Sequence, residues 1–219
     1  MKKLLAAIIA AALLLSGCSL SSRPAVSAPP AETPSPSPTP APEPSDDELV
    51  LVRDYIPGIF IDLKYATTDN FTGQVIYDSD EAYLRYGTVK KLLAAQNELS
   101  GRGLSLKIWD AYRPVSAQFK LWEICPNPVY VSNPNNGYSK HSRANTVDIT
   151  LVTDTGESIP MPSGFDDFTS LADRDYSDVS AEAAENARLL ENVMVENGFV
   201  PYSGEWWHYS DSVSYDVYG

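Results

Sequence analysis

Leu104, Leu106 and Ile108 alternate with Ser105 and Lys107, the two-residue period of a half-buried strand. Upstream the period changes. Val89, Leu92, Leu93, Gln96 and Leu99 place mostly apolar groups on one side of a helix, with Asp80 as its N-cap and Gly101 and Gly103 as its break. Pro114 predicts the start of a second helix running to about Ile124. β-Branching across residues 146–152 predicts another strand, followed by turn chemistry in Asp154-Thr155-Gly156. Ser180 then caps a third helix, Gly198 ends it, and residues 199–209 form a last strand or hairpin. Residues 49–61 read as a short strand or extended segment, residues 62–71 as loop, and residues 75–77 as a strand. Residues 126–137 are rich in Pro, Asn and Gly and form a loop, and residues 159–178 are irregular. Helices and short strands are interspersed without strict βαβ alternation. The expected class is therefore α+β, a small antiparallel or mixed sheet flanked by helices.

The amino-terminal pattern is different in kind. Lys2 and Lys3 precede an unbroken apolar run, residues 4–15, which is short for a membrane span and suited to a signal sequence. It ends in Leu15-Ser16-Gly17-Cys18, which resembles a bacterial lipobox and implies a lipidated Cys18 as mature N-terminus. Residues 19–47 hold more than half of the 17 prolines and no aromatic residue. Such a stretch cannot bury enough apolar surface to offset its ordering entropy, and it reads as a disordered tether. The expected organisation is a signal peptide over 1–18, a tether over 19–47 and one folded domain over 48–219, long enough to bury a core.

Composition narrows the function. With Cys18 lipidated, Cys125 is left without a partner, so the core must hold without an intrachain disulfide. The formal net charge is −13. That excludes nucleic acid as a natural partner, because phosphate binding needs a basic surface. It also gives no attraction to anionic lipid, which leaves membrane attachment to the acyl anchor.

The chain has two histidines, and both lie among chemically useful residues. His141 precedes Asp148 on the approach to a predicted strand, and Glu205 precedes His208 with Trp206 and Trp207 between them. Two imidazoles and a carboxylate can supply the three protein ligands of a catalytic zinc site, and a further carboxylate can serve as its base. Taken alone, the first pair also suits a surface histidine and a strand-end aspartate. The second also suits an aromatic core strand with exposed polar residues. On a regular strand, moreover, positions 205 and 208 point to opposite faces. Either the strand is irregular near Trp206 or Glu205 reaches the site from its far side.

The two segments, Ser139-Lys140-His141-Ser142-Arg143-Ala144-Asn145-Thr146-Val147-Asp148 and Glu205-Trp206-Trp207-His208, resemble the zinc D-alanyl-D-alanine dipeptidases of the vancomycin-resistance type. Those belong to a larger group of D,D-peptidases that share a fold with the Hedgehog signalling domain. The resemblance extends to Tyr65-Ala66-Thr67, Asn70-Phe71, Asp110-Ala111-Tyr112-Arg113-Pro114 and the segment from Met161 to Phe165-Asp166. It covers roughly residues 50–210.

The resemblance implies one zinc ion per chain, bound by His141, Asp148 and His208. It makes Glu205 the general base that activates the metal-bound water and then the acid that protonates the leaving amine. Arg113 would stabilise the oxyanion. Asp166 would receive the ammonium group of a small D,D-dipeptide, Ser139 would hold the substrate backbone, and Tyr65 would line the site. Without the resemblance, Arg113 reads as a surface ion pair at a helix start and Asp166 as one loop acid among several. Two enzymic readings differ at the amino-terminal subsite: a dipeptidase closes it with an acid, and a D,D-carboxypeptidase acting on peptidoglycan stems leaves it open. A non-catalytic zinc-stabilised binding module is the third reading, and it would need neither Glu205 nor Arg113.

Two departures from the family stand out. Ala144 occupies a position that is usually glycine, which costs strain if φ is positive there. The export signal is the other. The resistance enzymes act in the cytoplasm, whereas this chain is expected at the outer face of the bacterial cytoplasmic membrane, in wall-peptide turnover or salvage. The sequence leaves the oligomeric state open.

Overall fold

The computed structural model describes residues 42–219. The signal segment, Cys18 and most of the proline-rich stretch lie outside the described residues. Among the described residues no helix is long and apolar enough to cross a membrane.

The domain is α+β. Strand β1 (Leu49–Leu51) and the single turn α1 (Val52–Tyr55) are followed by β2 (Phe60–Ile61), β3 (Tyr83–Arg85) and α2 (Tyr86–Ser100). Then come β4 (Leu104–Asp110), α3 (Val115–Ile124), β5 (Thr146–Thr153), α4 (Ala181–Glu196), β6 (Phe199–Tyr202) and β7 (Glu205–Asp211). The main sheet has the order β2-β4-β5-β7-β6. Only β2 and β4 run parallel; β4, β5, β7 and β6 pair antiparallel in turn. The mixed alternative is therefore the one adopted.

Alternation along β5 separates a core face from a site face. Val147, Ile149 and Leu151 are almost wholly buried and join Leu92 and Leu99 of α2 and Leu190 and Met194 of α4 in one apolar core. Thr146, Asp148 and Thr150 therefore point to the opposite face of the sheet. That face is where the polar chemistry collects.

Three local expectations are corrected. The helix predicted from Asp80 begins at Tyr86, because residues 83–85 pair with β1 in the register Leu49↔Arg85, Val50↔Leu84 and Leu51↔Tyr83. A partner more than thirty residues away in sequence overrides local helix propensity. The strand expected over 75–77 is a loop, in which the amides of Ile76 and Tyr77 both donate to the Tyr65 carbonyl at 2.8 and 2.9 Å. The tether boundary at 47 lies too far along the chain. Tyr86 donates through its hydroxyl to Glu43, Lys90 pairs with Asp46 at 2.6 Å, and Arg85 donates to the Asp47 carbonyl at 2.6 Å. Acidic side chains and backbone carbonyls bind these last residues to the domain, although they offer no apolar surface. By contrast, Ser180 caps α4 by accepting from the Ala183 amide, and Gly198 leaves it at φ +85°.

Candidate metal centre and active site

Strand register puts three functional side chains in one row across the sheet. Asp110 of β4 lies opposite Asp148 of β5, which lies opposite His208 of β7. The β4–β5 register shifts between Ile108 and Asp110, an irregularity that breaks the simple alternation just before the Ala111-Tyr112-Arg113 loop.

His141 reaches the row from a separate 3₁₀ turn, Lys140–Arg143, capped by Ser139, whose hydroxyl accepts from the His141 amide at 3.3 Å. Arg85 holds this turn from behind. Its backbone amide donates to the Ala144 carbonyl, and its side chain donates to the carbonyls of Arg143 and Asp216 at 3.1 and 2.8 Å. The turn ends on Ala144 at φ +58°, the left-handed conformation that glycine adopts at no steric cost.

The resulting cluster has the donor types of a zinc site, two imidazoles and a carboxylate whose two oxygens each face one of them. His141 Nε2 lies 3.4 Å from His208 Nδ1 and 3.3 Å from Asp148 Oδ2, and His208 Nδ1 lies 3.0 Å from Asp148 Oδ1. Zinc bonds of about 2.0–2.2 Å in a tetrahedron place donor atoms roughly 3.3–3.5 Å apart. His141 Nδ1 lies 2.9 Å from the Ala111 carbonyl, so it donates there and leaves Nε2 with its lone pair toward the cluster. Burial disfavours the charged form of His141, but Asp148 and Asp110 outweigh it and raise its pKa. Burial depresses that of His208. Burial works against the Asp148 carboxylate too, yet the two imidazoles hold it well below the usual carboxylate range. An anionic ligand between two histidines is a donor set that a divalent cation completes.

Glu205 and His208 share this face despite their spacing. The β6–β7 register breaks between Pro201 and Tyr202, so Tyr202 pairs with Glu205 and the chain between Glu205 and His208 departs from a regular strand. Glu205 Oε2 comes within 3.4 Å of His208 Nδ1. Burial, with Asp148 and Asp166 close by, pushes the Glu205 carboxyl up to about 8. A divalent cation held in the adjoining cluster would pull that value down and favour the carboxylate that a general base needs.

Arg113 is positioned by residues that motif spacing did not identify. Its Nε and Nη2 donate to Asp110 Oδ2 at 3.1 and 2.6 Å, and Nη1 donates to Gln118 Oε1 at 2.9 Å. Gln118 is itself held by the Ser132 carbonyl at 2.7 Å, and Tyr77 donates to the other Asp110 oxygen. Two of the five guanidinium N–H groups remain for an oxyanion. Asp110 was visible in the Asp-Ala-Tyr-Arg-Pro segment; its part as the counter-ion of Arg113 needs the fold.

The other expected substrate residues divide by position. Tyr65 donates to Asp166 at 2.7 Å, and its ring lies under the Arg113 guanidinium at 5.1 Å. Asp166 has φ +52°, a left-handed conformation that costs an L-residue strain. Burial pushes its carboxyl up to about 7, although the Tyr65 hydroxyl works against that shift. Ser139 lines a cleft of about 280 Å³ with Tyr130, Tyr202, Glu205 and His208. Phe165, next to Asp166, packs on Tyr65, Trp109 and Trp207.

Comparison with known proteins places the chain in a family. A family model described as D-ala-D-ala dipeptidase, Peptidase_M15, matches residues 45–215. The chain is 38% identical over 162 residues to the D-alanyl-D-alanine dipeptidase of Escherichia coli strain K12, a match covering 74% of this chain and 83% of that relative. It is 35% identical over 176 residues to the D-alanyl-D-alanine dipeptidase of Enterococcus faecium, covering 71% and 87%. The protein of that name from Enterococcus faecalis strain V583 is 35% identical over 185 residues, covering 75% and 91%.

Proposed function

The chain belongs to the Peptidase_M15 family of D-Ala-D-Ala dipeptidases, and from that premise we propose that it hydrolyses free D-Ala-D-Ala with one zinc ion held by His141, Asp148 and His208. The observation that carries this reading is the convergence of three ligand atoms, within 4.8 Å of one another, beside the Glu205 carboxylate. Bound there, zinc would supply Lewis acidity, polarising the scissile carbonyl and making water a better nucleophile at neutral pH.

The chain's own residues supply the rest. Glu205 takes a proton from water as the water oxygen bonds to the carbonyl carbon. It returns that proton to the amide nitrogen as the C–N bond breaks, so one dipeptide and one water give two D-alanines. Arg113, fixed by Asp110 and Gln118, directs its two remaining N–H groups at the oxygen that gains charge. Asp166 meets the ammonium group, whose positive charge favours the ionised carboxylate against the upward pull of burial. Ser139 orients the substrate backbone while its hydroxyl caps the His141 turn.

The same geometry favours a dipeptide over a longer stem. Tyr130 stacks on Phe168 with centroids 4.2 Å apart, joining two loops beside the cleft, and Asp166 places a half-buried carboxyl where a stem peptide would continue. The test is to give zinc-loaded protein free D-Ala-D-Ala, N-acetyl-D-Ala-D-Ala and a D-Ala-D-Ala-ended pentapeptide in parallel. A hydrogen bond between charged groups contributes about 1.5–3 kcal/mol, so the free dipeptide should win by roughly 10- to 10²-fold in kcat/KM. Equal hydrolysis of all three would instead indicate a D,D-carboxypeptidase. Retained zinc with no hydrolysis would indicate a binding module.

We also propose that Leu15-Ser16-Gly17-Cys18 directs export and lipidation at Cys18, placing the enzyme at the outer face of the cytoplasmic membrane for wall-peptide turnover or salvage. Mass spectrometry of the mature N-terminus tests this. An unmodified chain that keeps residues 1–17 would contradict it.

A further inference from the structure

The β6–β7 hairpin pairs Phe199 with Asp211, Val200 with Ser210 and Pro201 with Tyr209. Continued unbroken, that register would set Tyr202 opposite His208. Instead Tyr202 pairs with Glu205, and Trp206, Trp207 and His208 have no matched residue on β6. The break lets Glu205 and His208 address one point, and something must hold it, because a regular hairpin is the lower-energy default.

Arg174 lies across the break. Its Nε donates to the Tyr202 carbonyl at 2.7 Å and its Nη2 to the His208 carbonyl at 3.1 Å. These are the two residues that an unbroken register would have paired. Behind them, Nη1 binds the Glu191 carboxylate at 2.9 Å and the Tyr209 hydroxyl at 3.1 Å, and the guanidinium stacks over the Tyr209 ring at 4.6 Å. Only 10% of the Arg174 side chain is exposed. Two residues on, Tyr176 holds φ +56° and donates to the same Glu191 carboxylate, so the loop carrying Arg174 is itself braced on α4. A planar guanidinium with a fixed fork of donors can bridge two carbonyls at a set separation; a lysine ammonium cannot.

We propose that Arg174 is a positioning residue: it bridges the Tyr202 and His208 carbonyls, stabilises the β6–β7 irregularity, and thereby sets Glu205 and His208 in catalytic register. This rests on the reading of Glu205 as the base and His208 as a metal ligand. The side-chain donors of Arg174 go to the Tyr202 and His208 carbonyls, Glu191 and Tyr209, none of them a side chain assigned to metal or substrate. Its effect should fall on turnover and on ligand geometry, with little effect on substrate affinity.

The experiment uses the zinc-loaded protein, its cobalt-substituted form and the variants Arg174→Met, Arg174→Lys and Glu191→Gln. Small misplacements of catalytic groups cost about 10²-fold. Arg174→Met should lose kcat on that order with KM nearly unchanged, shift the visible cobalt absorption, and regain part of its rate from added guanidinium ion. Arg174→Lys should recover little. Glu191→Gln, which leaves both carbonyl contacts in place, should stay close to the parent rate. A parent-like kcat and cobalt spectrum in Arg174→Met would overturn the proposal. So would full recovery in Arg174→Lys, or a loss that merely follows the unfolded fraction. Should Arg174→Met fail to fold, Arg174→Lys carries the same decision. Parent protein that leaves D-Ala-D-Ala intact would count against the dipeptidase reading alone. The near-ultraviolet circular dichroism of Trp206 and Trp207, compared between parent and variant without metal, would still decide the role of Arg174.

Discussion

Asp148 and His208 lie directly opposite one another on antiparallel strands, Oδ1 to Nδ1 at 3.0 Å. Sheet pairing alone brings these two proposed ligands together, and the 3₁₀ turn delivers the third, His141. Removal of one imidazole leaves too few donors for tight binding. His208→Ala should therefore lose most of its zinc in metal analysis after dialysis. Stoichiometric zinc in that variant would remove His208 from the ligand set.

Ala144 ends the His141 turn at φ +58° and is fully buried. An L-residue in that region costs roughly 1–2 kcal/mol, partly offset by the greater freedom of glycine in the unfolded chain. Ala144→Gly should stabilise the protein by about 1 kcal/mol and raise Tm by about 2–4 °C. A lower Tm in calorimetry would show that the alanine methyl contributes more by packing than it costs in strain.

Asp166 is held near the site at the expense of stability. Burial lifts its carboxyl to about 7 from the ordinary 3.8. Between those values the folded state binds the proton more tightly than the unfolded state, so this group makes stability fall as pH rises through the interval. The penalty is absent below pH 4 and complete above pH 7. At about 1.36 kcal/mol per pH unit it is on the order of 4 kcal/mol at most, reduced by the solvent that reaches this half-buried group. Asp166→Asn should therefore raise Tm of the metal-stripped protein at pH 8 and leave it nearly unchanged at pH 4, while losing affinity for the free dipeptide. An equal change in Tm at both pH values would contradict this account.

The ordered domain begins before residue 48. Asp46 accepts from the Gly87 amide at 2.9 Å, the Asp47 carbonyl binds Arg85 at 2.6 Å, and Glu43 meets Tyr86. A chain starting at Pro42 should match the longer protein in Tm. One starting at Glu48 should lose about 3 kcal/mol, at roughly 1 kcal/mol for each net hydrogen bond removed. Identical Tm values for the two would show that these contacts contribute nothing measurable.

The parts of this protein legible in its sequence are those written in local chemistry. The alternation of Leu104, Leu106 and Ile108, the Ser180 cap and Gly198 each mark an element that forms where expected. The two histidine segments drew attention to residues that the fold brings together, because few residue types can bind zinc. The unread parts depend on partners remote in the chain. Residues 83–85 are a strand only because β1 lies beside them. Asp110, Gln118, Arg85 and Arg174 act on side chains or backbone carbonyls brought near by folding, and a carbonyl leaves no mark in a sequence. The irregularity that joins Glu205 to His208 is one of the two arrangements that their spacing allows. Its brace was not legible, because Arg174 sits in a loop with no motif of its own.

Glu205 is where the account is most exposed. It lies 3.4 Å from His208 Nδ1, outside the proposed ligand set, and is asked to make both proton transfers of each turnover. General acid–base groups contribute about 10²–10⁴-fold. The decisive measurement is the rate of D-alanine release from free D-Ala-D-Ala by parent and Glu205→Gln protein at matched, analysed zinc content. The account predicts one zinc per chain in both and a loss of kcat toward the upper part of that range in the variant. A Glu205→Gln enzyme that keeps its zinc and turns over within a few-fold of the parent would contradict it.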